Sequence, residues 1–282
     1  MPTASAITET FATPATHRRE LADAEQRFLS AIDQPDRWAE TASGLPGWSR
    51  SHVVAHVLGN AEGMLNLVTW ARTGVTTPMY VSVAARAAAI DECASWSLSR
   101  LRDALGVASA ELASECGALT HPLGSAELAM TSGATLQTWE IPMIRLREVE
   151  IHHVDLAADY APTDWSSGFT LRTMSQLTQL FALRGTLPVA ELRATDSGRV
   201  WTFAVDSGSV KAPEGSQLRG PEAELLAWIT GRPYQSLTFS ADPDHVHPVR
   251  AQPVRAESVR AESVREQSAG EVGAPPQAPV WV

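Results

Sequence analysis

Two stretches of this chain restrict its architecture more than any other feature: GWSRSHVVAHVLGNAEG, residues 47–63, and RLREVEIHHVDL, residues 145–156. Both read as helices, and both carry side chains able to hold a metal. Glu148 and His152 stand at i and i+4, so they project from one helix face, and His52 and His56 do the same in the first stretch. A pair of antiparallel helices packed with these faces inward would set His52 of the first against Glu148 and His152 of the second. Two His and one Glu match the donor set of catalytic zinc sites, which leave a fourth tetrahedral position open. The order E-x-x-x-H is not the zincin pattern. Spacing alone leaves the first imidazole undecided. His52 opens its helix, and His56, one turn on, is either a ligand or a group that orients one. His153 points about 100° round the helix from His152 and does not share the site. The competing reading of such a pair is a bare surface contact between neighbouring turns.

Helical periodicity supplies the rest of a bundle. Leu21, Ala24, Phe28 and Ile32 form an inward stripe over 17–33. A helix over 50–73 is capped by Ser49 and stopped by Gly74. Ser82 caps an alanine-rich helix, and Leu98, Leu101, Leu105 and Leu112 mark another over 96–116. The Gly-, Ser- and Thr-rich stretch 117–137 has room for a short hairpin. Pro142 suits the first turn of a helix over 140–158. Four main helices, two of them lining a polar centre, predict a four-helix bundle over residues 1–165. After APTDWSSG comes a helix over 169–184. The runs VAELRAT, RVWTFAV and SLTFS then read as strands around a helical PEAELLAWITG, which predicts a small α+β domain over 166–242. From 243 to 282 the texture changes, with two copies of RAESV starting at Arg255 and Arg260, and the expectation is a disordered tail.

Composition excludes several classes of function. The net charge of −10, from 22 basic and 32 acidic residues, argues against a nucleic-acid or anionic-membrane partner, although one local Arg is enough for a small anionic substrate. No apolar run reaches the ~18 residues that span a bilayer. The N-terminus lacks the pattern of a secretory signal. Cys93 and Cys116 form neither a disulfide framework nor a CxxC motif, so a cytoplasmic location with reduced thiols is expected.

Three segments read together carry a resemblance. GWSRSHVVAHV, NLVTWARTGVTTPMYVS followed by Ala85 and Arg86, and LREVEIHHVDL resemble the N-terminal half of the mycothiol-dependent maleylpyruvate isomerase family. The likeness extends more loosely to ITGR, Ile229 to Arg232, and to the closing Pro-Trp ending. It is weakest over 90–138, at Glu150, where an apolar residue is expected, and in the tail. The resemblance implies a DinB-like helical bundle carrying zinc, followed by a sterol-carrier-like α+β domain. It places the zinc ligands on His52, Glu148 and His152. It also makes Arg232 the functional cation and offers Arg86 and Tyr80 as weaker cofactor-binding candidates. Asp155, at i+3 from His152, is placed to orient a ligand.

The activity implied is the isomerisation of maleylpyruvate to fumarylpyruvate in gentisate breakdown, with zinc as cofactor and mycothiol as thiol cosubstrate. A thiolate adds to the cis double bond, the resulting single bond rotates, and elimination returns the thiol and a trans product. A cation near the conjugated carbonyl would lower the barrier as charge develops. Two alternatives use the same residues: a mycothiol S-transferase acting on an electrophile, and a non-catalytic zinc-binding regulatory protein.

Overall fold

The computed structural model describes residues 14–118, 127–129, 135–184, 188–203, 215–242 and 245–248, and most of these described residues are helical. It divides into two compact units, residues 1–158 and 159–282. The division falls a few residues before the APTDWSSG stretch that the sequence suggests. Among the described residues no helix is long and apolar enough to cross a membrane.

The first unit contains α1 (Pro14–Ala31), α2 (Asp36–Ala39), α3 (Arg50–Thr73), α4 (Val83–Ala94), α5 (Leu98–Ala118) and α6 (Ile141–Asp155). The hairpin expected in 117–137 is there. β1 (Glu127–Ala129) pairs antiparallel with β2 (Thr135–Gln137), and a 3-10 turn leads from β2 into α6. The long helices α1, α3, α5 and α6 pack against one another. Leu21, Ala24, Phe28 and Ile32 of α1 are all buried, as are Leu98, Leu101, Leu105 and Leu112 of α5. α3 ends at Gly74, whose left-handed backbone (φ 71°) lets its N–H donate to the Trp70 carbonyl at 2.8 Å. Gly63, in mid-helix, has another reason to be glycine. A Cβ there would come within 2.7 Å of Met79 Cγ and 3.2 Å of Tyr80, so its absence lets the 79–80 segment lie on α3.

One charged side chain ties the four long helices together. Arg145 of α6 is fully buried. Its guanidinium donates to Glu25 of α1 at 3.0 Å, to the Val57 carbonyl and Asn60 Oδ1 of α3 at 2.8 and 2.9 Å, and to Ser109 of α5 at 3.4 Å. Arg is suited to this place because its planar fork carries five donors that three helices can share. A second ion pair joins α1 to α6, with the exposed Arg27 donating to the buried Glu150 at 2.7 Å. That contact accounts for a polar residue where the family resemblance calls for an apolar one.

The second unit contains α7 (Ser167–Arg184), β3 (Glu191–Ala194), β4 (Val200–Thr202), β5 (Gln217–Gly220), α8 (Glu222–Ile229), β6 (Thr238–Asp242) and β7 (His245–Pro248). The sheet order is β4-β3-β5-β6-β7, with β3 and β5 parallel and the other neighbours antiparallel. α8, apolar nearly all round, packs against β3, β5 and α7, which buries Leu225, Leu226, Trp228 and Ile229. Two strands were not foreseen. β5 is the short polar run QLRG, and β7 lies inside the segment assigned to the tail. Register with β6 draws His245–Pro248 into the sheet. The RAESV repeats lie outside the described residues.

Arg145→Ala should lower the stability of the protein by about 3–5 kcal/mol, the scale for removing one partner of a buried charge network. Arg145→Met, which leaves the same Glu25 carboxylate unpaired but refills the volume, should cost less. Denaturant unfolding of the two variants measures both effects, and equal stability of Arg145→Ala and the wild type would remove Arg145 from this role.

Candidate metal centre

The site is assembled by α3 and α6. His56 and His152 are both buried, Glu148 is largely so, and their ligand atoms lie within 4.8 Å of one another. His56 Nε2 is 2.8 Å from His152 Nε2 and 3.3 Å from Glu148 Oε2, and His152 Nε2 is 3.6 Å from Glu148 Oε2. The two imidazoles meet edge to face, with ring centroids 4.4 Å apart. A tetrahedral zinc with bonds near 2.0–2.1 Å has edges of about 3.3 Å. The three observed separations bracket that value, so this donor set fits such an ion.

This grouping differs from the sequence-based assignment. The converging triangle contains His56, and His52, the ligand that the family resemblance implied, lies outside it. His52 is the third residue of α3, where a side chain can turn back to the helix start, the position that Glu or Gln fills in a capping box. Its Nδ1 lies 3.3 Å from the Ser49 backbone N–H and 2.7 Å from Ser49 Oγ. Trp48 stacks on its ring at 6.2 Å, and its Nε2 lies 3.9 Å from the exposed Asp91. One turn deeper, His56 faces α6. His153 is buried on another side of α6, against Phe28 of α1.

The surroundings fix the ligand rings. His152 Nδ1 is 2.7 Å from Asp155 Oδ2, so the carboxylate accepts the Nδ1 proton and leaves Nε2 free to bind. The end of α6 is itself held in place. Gly44 N–H donates to the Asp155 carbonyl at 2.7 Å, and Arg50 donates to the carbonyls of Leu156 and Ala157 at 2.7 and 2.8 Å. These contacts satisfy carbonyls that the helix end leaves without partners. They also explain physically why the GWSRSH and HHVDL segments go together.

Arg86 and Tyr80 reach the edge of the same group. Ser82 Oγ accepts the Ala85 N–H and so caps α4 with Arg86 in its second turn. The Arg86 guanidinium lies over the Tyr80 ring at 5.4 Å, and its Nη2 is 3.1 Å from His56 Nδ1. Arg232 belongs to the second unit. It is buried just past α8, where Gly231 turns with φ 72° and Arg232 Nη1 donates to the Thr230 carbonyl.

Proton affinities follow from burial and neighbours. Burial, reinforced by the charge of His152, lowers His56 to about 4, so its imidazole is neutral near pH 7. Burial opposes protonation of His152, but hydrogen bonds to Asp155 and Glu148 prevail and raise it. Burial would also raise Glu148, yet hydrogen bonds from His152 and His56 hold it well below the usual carboxylate range. Neither cysteine is primed as a nucleophile. Burial, then Glu25, pushes the Cys116 thiol up to about 12, and burial also raises Cys93.

Residues 18–157 match the family model described as the mycothiol maleylpyruvate isomerase N-terminal domain. Among solved structures, the chain is similar to the crystal structure of the mycothiol-dependent maleylpyruvate isomerase. Identity is 26%, the TM-score is 0.74, and the match covers 85% of this chain and 97% of that one. A histidine-to-alanine mutant of that isomerase gives the same values. No curated protein matches the chain. Residues 18–157, the span that holds His56, Glu148 and His152, thus form a mycothiol maleylpyruvate isomerase N-terminal domain, and the structural likeness to the isomerase extends over 85% of the chain.

Proposed function

We propose that this protein binds one zinc ion through His56, Glu148 and His152 and catalyses the mycothiol-dependent isomerisation of maleylpyruvate to fumarylpyruvate. The observation that carries the reading is the convergence of two imidazole nitrogens and one carboxylate oxygen in the unit that matches the isomerase family. We also read that unit as a DinB-like four-helix bundle, on the mutual packing of α1, α3, α5 and α6. The second unit we read as a sterol-carrier-like α+β domain, on the packing of α8 against its sheet.

Zinc held by three protein groups supplies an open position at which a thiol loses its proton readily. The chain's own residues prepare that position. Asp155 holds the His152 tautomer, Glu148 stays ionised at neutral pH, and Arg50 and Gly44 hold the end of α6. A thiol from outside suits this site, because both cysteines have raised pKa values. That fits mycothiol as cosubstrate. Arg86 and Tyr80, at the edge of the ligand group, are the candidates for meeting it or the acidic substrate. Arg232 is proposed, from the family resemblance, as the cation that offsets charge on the substrate carbonyl.

Purified protein loaded with zinc should convert maleylpyruvate to fumarylpyruvate only when mycothiol is present, with the mycothiol recovered. A stable thiol adduct would identify a transferase instead, and zinc uptake without either reaction would identify a regulatory protein. Metal analysis should find zinc lost from His56→Ala and His152→Ala and retained by His52→Ala; the reverse pattern for the first and last would restore His52 as the ligand. Asp155→Asn should weaken zinc binding by about 10–100-fold, the usual effect of removing a carboxylate that orients a ligand. Arg232→Ala should keep its zinc and lose about 100-fold or more in turnover. Normal turnover with lowered stability would leave Arg232 as a helix-end cation.

A further inference from the structure

In the second unit one face of the sheet is packed and the other carries charge. Buried residues alternate with partly exposed ones along β3 and β5. Leu192, Ala194 and Leu218 therefore lie on the packed face, and Glu191, Arg193, Gln217 and Arg219 on the other. Register sets Arg193 of β3 directly beside Arg219 of the parallel β5, with Val200 of β4 beyond the first and Thr238 of β6 beyond the second. Glu191 and Gln217 stand in the next row. Two arginines side by side on strands about 4.8 Å apart repel each other. The carboxylate in the next row does not relieve Arg219. Glu191 Oε1 already accepts from Arg193 Nε at 3.0 Å, from Arg193 Nη2 at 2.9 Å and from Gln217 Nε2. Among the described residues the Arg219 guanidinium makes no hydrogen bond or ion pair, although its Nε is buried. A buried donor on a charged group costs free energy until it meets an acceptor, and functional sites are where proteins keep such costs.

We propose that this face of the sheet binds an oxyanion, with Arg219 as its anchor and Arg193 beside it. The ligand class is a small molecule carrying a carboxylate or a phosphate group. A guanidinium grips either group through two parallel N–H donors. The anion supplies the acceptor for Arg219 and offsets the repulsion between the two cations. Arg193 can take part without releasing Glu191, because Nε and Nη2 hold that carboxylate and Nη1 is left over. Burial of Nε holds the Arg219 stem in place, so little side-chain freedom is lost when the fork closes on a ligand. Thr238 does not draw the anion away, since its Oγ1 donates to the Arg219 carbonyl at 3.4 Å. The chain as a whole carries a net charge of −10, so the arginine pair is a local feature and suits a small anion rather than a nucleic acid or a membrane. No residue of the metal centre takes part, and the proposal stands or falls separately from the proposed activity.

The test is titration of the full-length protein with inorganic phosphate and, separately, with succinate, at constant ionic strength. Binding is followed through the arginine Nε–H resonances in nitrogen-15 NMR, and the resonance missing from Arg219→Gln identifies Arg219. In the wild type that resonance should shift and saturate with at least one of the two anions. Saturation by phosphate alone would identify a phosphate site, and saturation by succinate alone a carboxylate site. Affinity should fall about tenfold or more in Arg219→Gln, the scale of a hydrogen bond to a charged group. Arg219→Lys keeps the charge and serves as the variant least able to disturb the fold; it should still bind severalfold more weakly, because an ammonium lacks the planar fork. An Arg219 resonance that moves with neither anion, or wild-type affinity in either variant, would overturn the proposal.

Discussion

The helical unit depends on a buried arginine. Arg145 collects an oxygen from each of three other helices, and a fully buried guanidinium tolerates few alternative arrangements. Apolar ridges can slide by a turn at modest cost, whereas a charge with geometrically fixed partners cannot. Arg145 lies one turn before Glu148 on α6, and Val57 and Asn60, its partners on α3, follow directly on His56. The network that sets the register of α6 against α3 therefore also sets which imidazole stands opposite Glu148 and His152. Structure and site share one constraint, and the placing of His56, Glu148 and His152 follows from the core beneath them.

Above that network, the site is arranged by its proton donors and acceptors. Asp155 and Glu148 accept from the imidazoles, and Arg86 donates into His56. Three of these four residues come from the first and last of the three segments that carry the family resemblance, and the fourth, Arg86, closes the middle one, after the MYVS loop that Gly63 admits against α3. Burial keeps His56 neutral and the hydrogen bonds keep Glu148 ionised. Both are the forms in which these groups ligate a metal. Burial also raises both cysteine thiols. The unit thus sets candidate metal-ligating groups beside cysteines whose thiol pKa values are raised, which supports the proposal that its chemistry is performed on an incoming thiol.

Much of this was legible in the sequence because it is written in local chemistry. The bounds of α3 follow from Ser49 and Gly74, the inward stripe of α1 from four apolar residues at helical spacing, and the placing of Glu148 with His152 from i,i+4 geometry. The choice between His52 and His56 was not legible from the face they share. It depends on depth along the helix axis, which Arg145 fixes through distant partners. One local signal was available. Ser49 and His52 have capping-box spacing, and a side chain that turns back to the helix start is poorly placed to reach across to a neighbouring helix. Arg145 itself reads as an ordinary surface cation until three other helices surround it. β5 and β7 escaped notice because strands of four residues without apolar alternation are recognised only by what they pair with.

X-ray absorption at the zinc edge tests the central assignment most directly, on protein loaded with one equivalent of zinc and measured before and after mycothiol is added. The expected first shell is four nitrogen and oxygen neighbours at about 2.0–2.1 Å, two of them imidazoles. Addition of mycothiol should replace one of these with a sulfur at about 2.3 Å. A shell with one imidazole, or one that admits no sulfur in the presence of the thiol, would contradict a thiol-activating zinc held by His56, Glu148 and His152.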